Sequence, residues 1–211
     1  MLNIKVFTVN SFQENTYVLS DESKECIIID AGFQTESERK TFRDYLQIND
    51  LKPVMSLHTH AHVDHMFGAP FLIEQFNLGY RVHSASQEFI DRAKEYASVF
   101  GIIIEKVYQP EAFIKDEELL SFGNTSFRAI YTPGHADGSV CFYFEADGVL
   151  FSGDLLFKDS IGRTDLPTGN YDTLKSSILK LFKDLPAETK VFAGHGPSTT
   201  LGHEAMYNPF I

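Results

Sequence analysis

Histidines and aspartates recur in four separate segments of this chain at spacings typical of metal ligands. The candidate ligands are His60, His62, Asp64, His65, His135, Asp154 and His195. Neutral imidazoles and carboxylates suit divalent zinc, iron or manganese, and no cysteine belongs to the pattern. Seven ligands exceed what one tetrahedral ion uses, so the pattern predicts two metals that share a carboxylate. Two such ions lower the pKa of a water held between them to about 7, which provides a hydroxide nucleophile.

The densest segment, residues 60–65, directly follows an apolar run that predicts a strand. In an extended segment, residues two apart point the same way, so His60, His62 and Asp64 are expected on one face. This spacing differs from the helical pattern in which two histidine ligands lie four residues apart. The glycines beside His135 and His195 would let the backbone approach an ion closely.

Length and charge restrict the class of protein. The 211 residues suffice for one sandwich-type domain over residues 1–211, and no linker or repeat divides them. The net charge of −11 disfavours a nucleic-acid partner, because phosphate contacts require clustered Lys and Arg. No apolar stretch approaches the roughly 20 residues that span a bilayer, and the first residues resemble a strand rather than a signal peptide. We therefore expect a cytoplasmic protein without a membrane partner, in which Cys26 and Cys141 are buried free thiols.

Hydrophobic periodicity predicts strands in both halves of the chain, with helices between them. The predicted strands are Leu2–Val9, Thr16–Ser20, Glu25–Ile29, Val54–Leu57, Arg81–His83, Leu119–Phe122, Ser126–Tyr131, Ser139–Glu145, Val149–Phe151 and Lys190–Phe192. The predicted helices are Thr35–Ile48, Phe67–Phe76, Ser86–Phe100, Tyr171–Lys183 and Thr200–Tyr207. The segment Gly101–Lys115 fits either a strand or an apolar flap. Runs of strands with helices at intervals predict two packed sheets with helices outside.

The ligand pattern resembles the metallo-β-lactamase superfamily, and further motifs resemble its glyoxalase II-like branch. These motifs are the sequences TPGH at 132–135, GRTDLP at 162–167 and GHGPSTT at 194–200, with Glu204 and NPF at 208–210. The resemblance implies an α+β fold, namely a four-layer αββα sandwich of two mixed β-sheets with helices on the outer faces. Full-length glyoxalase II enzymes carry a helical substrate domain after the last metal histidine. Few residues follow His195 here, so the chain resembles the short, single-domain members without that domain.

The resemblance also implies roles for the candidate ligands. One metal would be held by His60, His62 and His135, and the second by Asp64, His65 and His195. Asp154 would bridge the two. Asp64 would in addition be catalytic by orienting the bridging hydroxide, and Asp30 would anchor an imidazole through its free N–H.

The expected function is that of a binuclear hydrolase for a small-molecule thioester or ester, of the hydroxyacylglutathione hydrolase type. The expected cofactors are two divalent ions, zinc first, with iron or manganese as alternatives. A lactonase or other ester hydrolase, an iron-dependent persulfide dioxygenase and a metal-bound sensor without turnover are the rival functions. A β-lactamase is disfavoured, because members with two zincs usually replace His65 or add a cysteine ligand. An oxygen-reducing di-iron protein would carry Glu in place of His62. The acyl group, the thiol carrier and the oligomeric state are left open.

Other polar residues receive structural assignments. His58 is predicted to be structural because the metal site is already full, and Asn15 is assigned to an Asx turn before the second strand. Arg163 and Asp165 either pair or cap the following helix, or they face the substrate. The aromatic residues expected at the pocket mouth are Phe67 and Phe157.

Overall fold

Strands dominate the computed structural model, which describes residues 1–211. The strands are β1 (Asn3–Val9), β2 (Glu14–Ser20), β3 (Glu25–Ile29), β4 (Lys52–Leu57), β5 (Tyr80–His83), β6 (Ala112–Ile114), β7 (Leu119–Phe122), β8 (Thr125–Tyr131), β9 (Val140–Phe144), β10 (Val149–Gly153), β11 (Leu156–Phe157), β12 (Ser160–Ile161), β13 (Lys190–Ala193) and β14 (Thr199–Thr200). The helices are α1 (Glu36–Asn49), α2 (Val63–Met66), α3 (Ala69–Phe76), α4 (Gln87–Asp91), α5 (Ala93–Val99), α6 (Tyr171–Asp184) and α7 (Leu201–Tyr207). None of the seven helices is both long and apolar enough to cross a lipid bilayer.

Two mixed six-stranded sheets pack face to face. The first has the order β1-β2-β3-β4-β5-β6 and the second the order β14-β13-β10-β9-β8-β7, while β11 and β12 form a separate hairpin. In the first sheet β3, β4, β5 and β6 run parallel, and in the second only β10 and β13 do. Because parallel neighbours end at the same edge of a sheet, the loops after β3 and β4 leave one edge of the first sheet, and those after β10 and β13 leave one edge of the second.

Each sheet is buried on both faces, which explains why its central strands are almost entirely apolar. In β3, Ile27 and Ile29 face the second sheet, whereas Cys26 and Ile28 face the helices. The core between the sheets is aromatic, with Phe127 and Phe144 stacked at 4.6 Å between ring centroids. Burial of this apolar area is the main force that holds the sheets together.

The helices cover the two outer faces. Phe42 of α1 and Phe71 of α3 pack on the first sheet, and Leu174 and Ile178 of α6 pack with Cys141 on the second. The expected α+β architecture of four layers, helix–sheet–sheet–helix, is therefore confirmed. Both cysteines are free and buried, as expected, and they lie in the two opposite outer layers.

Four local expectations differ from the structure. The predicted helix Ser86–Phe100 is interrupted at Arg92, where α4 ends. The helix predicted from Phe67 begins at Ala69, and a separate turn of helix, α2, precedes it. The segment Gly101–Lys115 contains the short strand β6, and the rest of it is irregular. The hairpin β11–β12 and strand β14 have two residues per strand, too few to show a hydrophobic period.

Candidate metal centre

The loop after β4 changes conformation within the ligand motif. Residues 58–62 are not helical, and α2 begins at Val63 with His62 as its N-cap. His60 and His62 therefore stay together, with His60 Nε2 3.1 Å from His62 Nδ1. The helical turn directs Asp64 elsewhere, towards His65 and His195. The expectation that His60, His62 and Asp64 share one face is wrong, because residues two apart diverge once the backbone becomes helical.

Three imidazoles form the first group of candidate ligands. His135, in the loop after β8, places its Nε2 2.9 Å from His62 Nδ1. Its Nδ1 donates to the carbonyl oxygen of Arg163 at 2.8 Å, so Nε2 carries a lone pair in the neutral ring. The Thr59 hydroxyl donates its hydrogen to Asp30, so its oxygen can only accept the N–H of His60 Nδ1. The proton of the neutral His60 ring is therefore on Nδ1, and Nε2 also carries a lone pair.

The second group consists of Asp64, His65 and His195. Asp64 Oδ2 lies 3.3 Å from His195 Nε2 and 3.7 Å from His65 Nε2. His195 Nδ1 donates to the carbonyl oxygen of Phe12 at 3.1 Å, so its Nε2 is also bare. This group is less enclosed than the first, since the His195 side chain is 27% exposed and that of Asp64 13%.

Asp154, directly after β10, lies between the two groups. Its Oδ1 is 3.4 Å from His65 Nε2, and its Oδ2 is 3.7 Å from His135 Nε2 and 3.5 Å from His195 Nε2. One carboxylate thus faces imidazoles of both groups. The two sheets meet here: Gly153, the last residue of β10, lies so close to Thr59, in the loop after β4, that an added Cβ would overlap the Thr59 side chain.

A carboxylate behind the site holds histidines of both groups. Asp30 Oδ1 accepts from the backbone N–H of Thr59 and Oδ2 accepts from its hydroxyl, both at 2.7 Å. Asp30 Oδ2 also lies 3.0 Å from His65 Nδ1, which favours the proton on that nitrogen and leaves Nε2 free to face the site. Asp30 therefore acts on His65 directly and on His60 through Thr59.

The donor set fits divalent cations. The pKa of His60 and His62 is lowered by burial, for His62 to about 3, so both rings are neutral at pH 7. Burial opposes the protonation of His65, but Asp154, Asp64 and Asp30 raise its pKa well above the usual value. His65 Nε2 and Asp154 Oδ1 lie 3.4 Å apart, and neither atom has a hydrogen-bond partner. The carboxylates that raise the pKa of His65 favour positive charge at this place, which two bound cations would supply.

Glycines beside the ligands serve close packing. A Cβ on Gly194 would overlap Asp154 Oδ1 and would crowd His65. Gly134 has a φ of +131°, and a Cβ there would overlap the backbone of Leu174 in α6. The sequence predicts that these glycines let the backbone approach an ion. In the structure they have another role as well: Gly194 makes room for the ligand side chains, and Gly134 makes room for α6.

Aromatic rings lie next to the loops that carry the ligands. Phe12, Phe67 and Phe100 form one cluster, in which the Phe12 centroid lies 6.4 Å from that of Phe67 and 5.4 Å from that of Phe100. The carbonyl oxygen of Phe12 accepts from His195, and the Phe157 ring lies 6.2 Å from the His195 ring. We call these four residues the aromatic mouth, after the position that the sequence predicts for Phe67 and Phe157.

The remaining motif residues have structural contacts. His58 is buried, and its edge packs on Tyr80 with 5.3 Å between ring centroids, in keeping with its structural assignment. The side chains of Arg163 and Asp165 form an exposed two-point ion pair at 2.7 Å, and the N-cap of α6 is Asn170. Pairing, rather than helix capping, is therefore the observed arrangement.

The Asx turn assigned to Asn15 is wrong. Asn15 lies within β2, and its Nδ2 donates to the carbonyl oxygens of Ala193 and Gly196. It therefore ties the first sheet to the loop that carries His195. No local signal distinguishes this role, because the partners are almost the whole chain away in sequence.

Glu204 explains the C-terminal motif. This buried carboxylate accepts from the hydroxyl of Thr199, the backbone N–H of Asp159 and the side-chain amide of Asn208. It thereby fastens α7 to the hairpin β11–β12, which carries Phe157. The motif holds one side of the aromatic mouth.

Sequence reasoning did not find two further residues beside the ligands. Glu14 is fully buried, with Oε1 3.9 Å from His65 Nδ1. Asn10 donates through Nδ2 to the backbone oxygens of Gly32 and Asp64. Glu14 had a weak signal, a charged residue at the start of an otherwise uncharged strand, whereas Asn10 resembles an ordinary turn residue.

Comparison with known proteins gives similarities over nearly the whole chain. A sequence model described as "Metallo-beta-lactamase superfamily" matches residues 9–195. The hydroxyacylglutathione hydrolase GloC of Haemophilus influenzae is 34% identical over 212 residues, covering 100% of this chain and 98% of that protein. The crystal structure of the BLEG-1 B3 metallo-beta-lactamase is 35% identical, with a TM-score of 0.90 and coverage of 100% of this chain and 99% of that one. The crystal structure of TTHA1623 in a di-iron-bound form is 36% identical, with a TM-score of 0.87 and coverage of 98% and 100%.

Proposed function

Because the chain belongs to the metallo-beta-lactamase superfamily, we propose that it is a two-metal hydrolase that cleaves thioesters of the hydroxyacylglutathione type. The observation that carries the proposal is the position of Asp154, within 3.7 Å of imidazoles in both ligand groups. A carboxylate in this position suits a shared ligand better than any role in folding, because its Oδ1 is buried without a hydrogen-bond partner. The di-iron form of TTHA1623 supports two metals, and the name of GloC supports the substrate class.

In this proposal each ligand group holds one cation. The first cation is held by His60, His62 and His135, and the second by Asp64, His65 and His195, with Asp154 shared. When bound, two divalent cations supply water of lowered pKa and polarise the substrate carbonyl. Zinc is the first candidate and iron the second.

The protein's own residues orient the reactants. Asp64 is partly exposed at 13%, so its carboxylate can accept a hydrogen bond from the attacking water and hold it towards the carbonyl carbon. The Nδ1–H of His195 and of His135 is already donated to a backbone oxygen, so neither imidazole is free to donate a proton from that nitrogen. The site thus has no evident proton donor for a leaving group.

A thiolate leaving group needs no such donor. The reference pKa of a thiol is about 8.5, so a thiolate departs near neutral pH without protonation, whereas an amide nitrogen requires a proton. The aromatic mouth suits the acyl part of the substrate, since its apolar surface would be covered when the substrate binds. Both features favour thioesters over amides.

A second candidate function is β-lactam hydrolysis. The presence of His65 and the absence of a cysteine ligand disfavour this function. The similarity of 35% identity and TM-score 0.90 to a protein described as a B3 metallo-beta-lactamase favours keeping this candidate. Its amide leaving group makes it second to the thioester.

The test measures bound metal and hydrolysis on the same protein. Purified protein is loaded with zinc or iron, its metal content is measured by elemental analysis, and S-lactoylglutathione, a lactone and a β-lactam are compared as substrates. We expect two metal ions per chain and the highest kcat/KM for the thioester. Oxygen consumption with glutathione persulfide is measured in parallel and should be absent.

A pair of aspartate variants provides the control. Asp154→Ala should lose metal and nearly all hydrolysis. Asp159→Ala is the control. Asp159 also contacts a histidine, His203 at 2.6 Å, but it lies outside the site. This variant should keep its bound metal and its hydrolytic activity. Wild-type rates in Asp154→Ala, or no thioester hydrolysis by fully loaded wild-type protein, would refute the proposal. A higher kcat/KM for the β-lactam would favour the second candidate.

A further inference from the structure

A cavity of about 640 Å³ lies beside the metal-ligand loop. Its walls come from α1, α3, the start of α5 and the irregular segment 102–108. The volume is in the range of small-molecule binding sites, roughly 300–1,000 Å³. None of the seven candidate metal ligands lines it. It is therefore a compartment separate from the metal centre.

The cavity and the metal centre share α2 as a wall. Val63 and Met66 of α2 and the adjoining Phe67 line the cavity, whereas Asp64 and His65 of the same turn face the other ligands. Phe67 is also part of the aromatic mouth. A molecule in the cavity would contact the back of the helical turn that positions two candidate ligands.

The interior favours an aliphatic ligand. Hydrophobic residues make up 14 of the 23 that line the cavity, which disfavours a sugar or a nucleotide base. On the outer wall, Ile103 is 90% exposed and Val107 37% exposed. A bound aliphatic chain would remove part of this apolar surface from water, which is favourable.

The outer wall can move at little cost. The backbone groups of residues 103–107 make no hydrogen bond to any other part of the chain. The wall is attached through side chains, with Lys106 bonded to Glu74 at 2.7 Å and Tyr108 to the same carboxylate at 2.9 Å. A segment with so few backbone bonds can open to admit a ligand without loss of secondary structure.

One cation at the rim lacks a carboxylate partner. Arg43 is paired with Glu36, and Lys106 with Glu74. The Arg39 side chain forms no ion pair and donates only one hydrogen bond, to the backbone oxygen of Gln34 at 3.3 Å. Its Nε is buried without an acceptor.

The position of Arg39 is set by stacking. Its guanidinium lies 5.7 Å from the centroid of the Phe71 ring, which itself lines the cavity. The third acidic residue of the lining, Glu105, is exposed on the outer wall. A guanidinium with an unused N–H donor at the rim of an apolar cavity is suited to a carboxylate, which it can bind through two oxygens.

We infer that this cavity binds an aliphatic carboxylate, with the chain among the apolar residues and the carboxylate on Arg39. The site differs in place and in ligand chemistry from the metal centre. The binding does not depend on which ester the metal centre hydrolyses.

The test is calorimetric titration of the metal-loaded protein with decanoate below its micelle concentration. We expect one decanoate per chain, with decanol and decyltrimethylammonium each bound at least tenfold more weakly, because neither offers a negative charge to Arg39. Equal affinity for the three compounds, or no binding of decanoate, would overturn the inference.

Variants distinguish the cavity from the metal centre, which could also attract a carboxylate. Arg39→Gln should weaken decanoate binding at least tenfold. Arg128→Gln is the matched control, since Arg128 also stacks on an aromatic ring, Tyr143 at 5.9 Å, but lies outside the cavity. Ala93→Trp, at a half-exposed lining position, should fill the cavity and reduce binding without changing the rim charge. Unchanged affinity in folded Arg39→Gln and Ala93→Trp proteins would show that decanoate binds elsewhere and would refute the site.

Discussion

The role of Asp30 gives the sharpest prediction about the metal centre. In Asp30→Asn the amide oxygen can still accept from the backbone N–H of Thr59, and Asn tolerates the φ of +54° found here. The amide nitrogen replaces Oδ2, which now accepts from the Thr59 hydroxyl at 2.7 Å and contacts His65 Nδ1 at 3.0 Å. A donor at this position repels the proton on His65 Nδ1 and favours the tautomer protonated on Nε2.

That tautomer must lose its Nε2 proton before His65 can bind a metal. Removing a carboxylate that orients a ligating histidine typically weakens metal affinity by about 10–100-fold, which corresponds to roughly 1.4–2.7 kcal/mol. We expect this loss for the cation held by Asp64, His65 and His195. The effect on the other cation should be smaller, because the Thr59 hydroxyl can still accept from His60 Nδ1.

The assay is titration of metal-free protein with zinc in competition with a chelator of known affinity. Two binding steps are expected in the wild-type protein, and only one of them should shift strongly in Asp30→Asn. Asp21→Asn is the matched control, since Asp21 is another buried aspartate with several hydrogen bonds, far from the ligands. If Asp30→Asn bound two zinc ions with wild-type affinities, the reasoning about the tautomer would be wrong.

Three further predictions follow from the packing. Gly194→Ala should weaken metal binding at least tenfold, measured by the same titration, because the added Cβ overlaps Asp154 Oδ1. Burial tends to raise the pKa of Asp21, but hydrogen bonds lower it from 3.8 to about 2. The ionised Asp21 carboxylate therefore stabilises the fold above pH 4, and this stabilisation is lost as the pH falls towards 2. Denaturant unfolding should therefore show that Asp21→Asn destabilises the protein at pH 6 and does so progressively less towards pH 3. Burial raises the pKa of Cys26 and Cys141 to about 12, so a thiol reagent should label neither in the native protein and both after unfolding.

Each of these predictions has an outcome that contradicts it. Gly148→Ala is the control for backbone strain, because Gly148 has a φ of +63° but open space around its added Cβ. Equal metal affinities of the Gly148 and Gly194 variants would remove the steric argument. A destabilisation by Asp21→Asn that does not change with pH would contradict the lowered pKa. Rapid labelling of a native thiol would show that its layer opens readily.

Some residue roles can be predicted from the neighbouring sequence, and others cannot. The sequence predicts a structural His58, because the metal site is complete without it, and two buried cysteines, because both lie in apolar runs; all three are buried. The role of Asn15 is not predicted, because its partners Ala193 and Gly196 flank His195, far along the chain. Asp64 was placed on the wrong face, because the change from extended loop to helix at Val63 leaves no clear mark in so short a segment. The periodic elements were found, and the strands of two residues were not.

The types and spacing of the candidate ligands were set by the sequence alone, because only imidazoles and carboxylates can bind such cations and their order along the chain is covalent. The layered architecture also followed from sequence, since hydrophobic periodicity reflects which faces are buried. The resemblance also implies the division of the ligands into two groups and the place of Asp154 between them. The tertiary structure decided the distances among these side chains, and that Asp30 acts on both groups through Thr59 and His65. It also decided that an apolar cavity lies behind α2. These features depend on the packing of segments far apart in the chain, and the distances between such segments arise only when the two sheets and their helices come together.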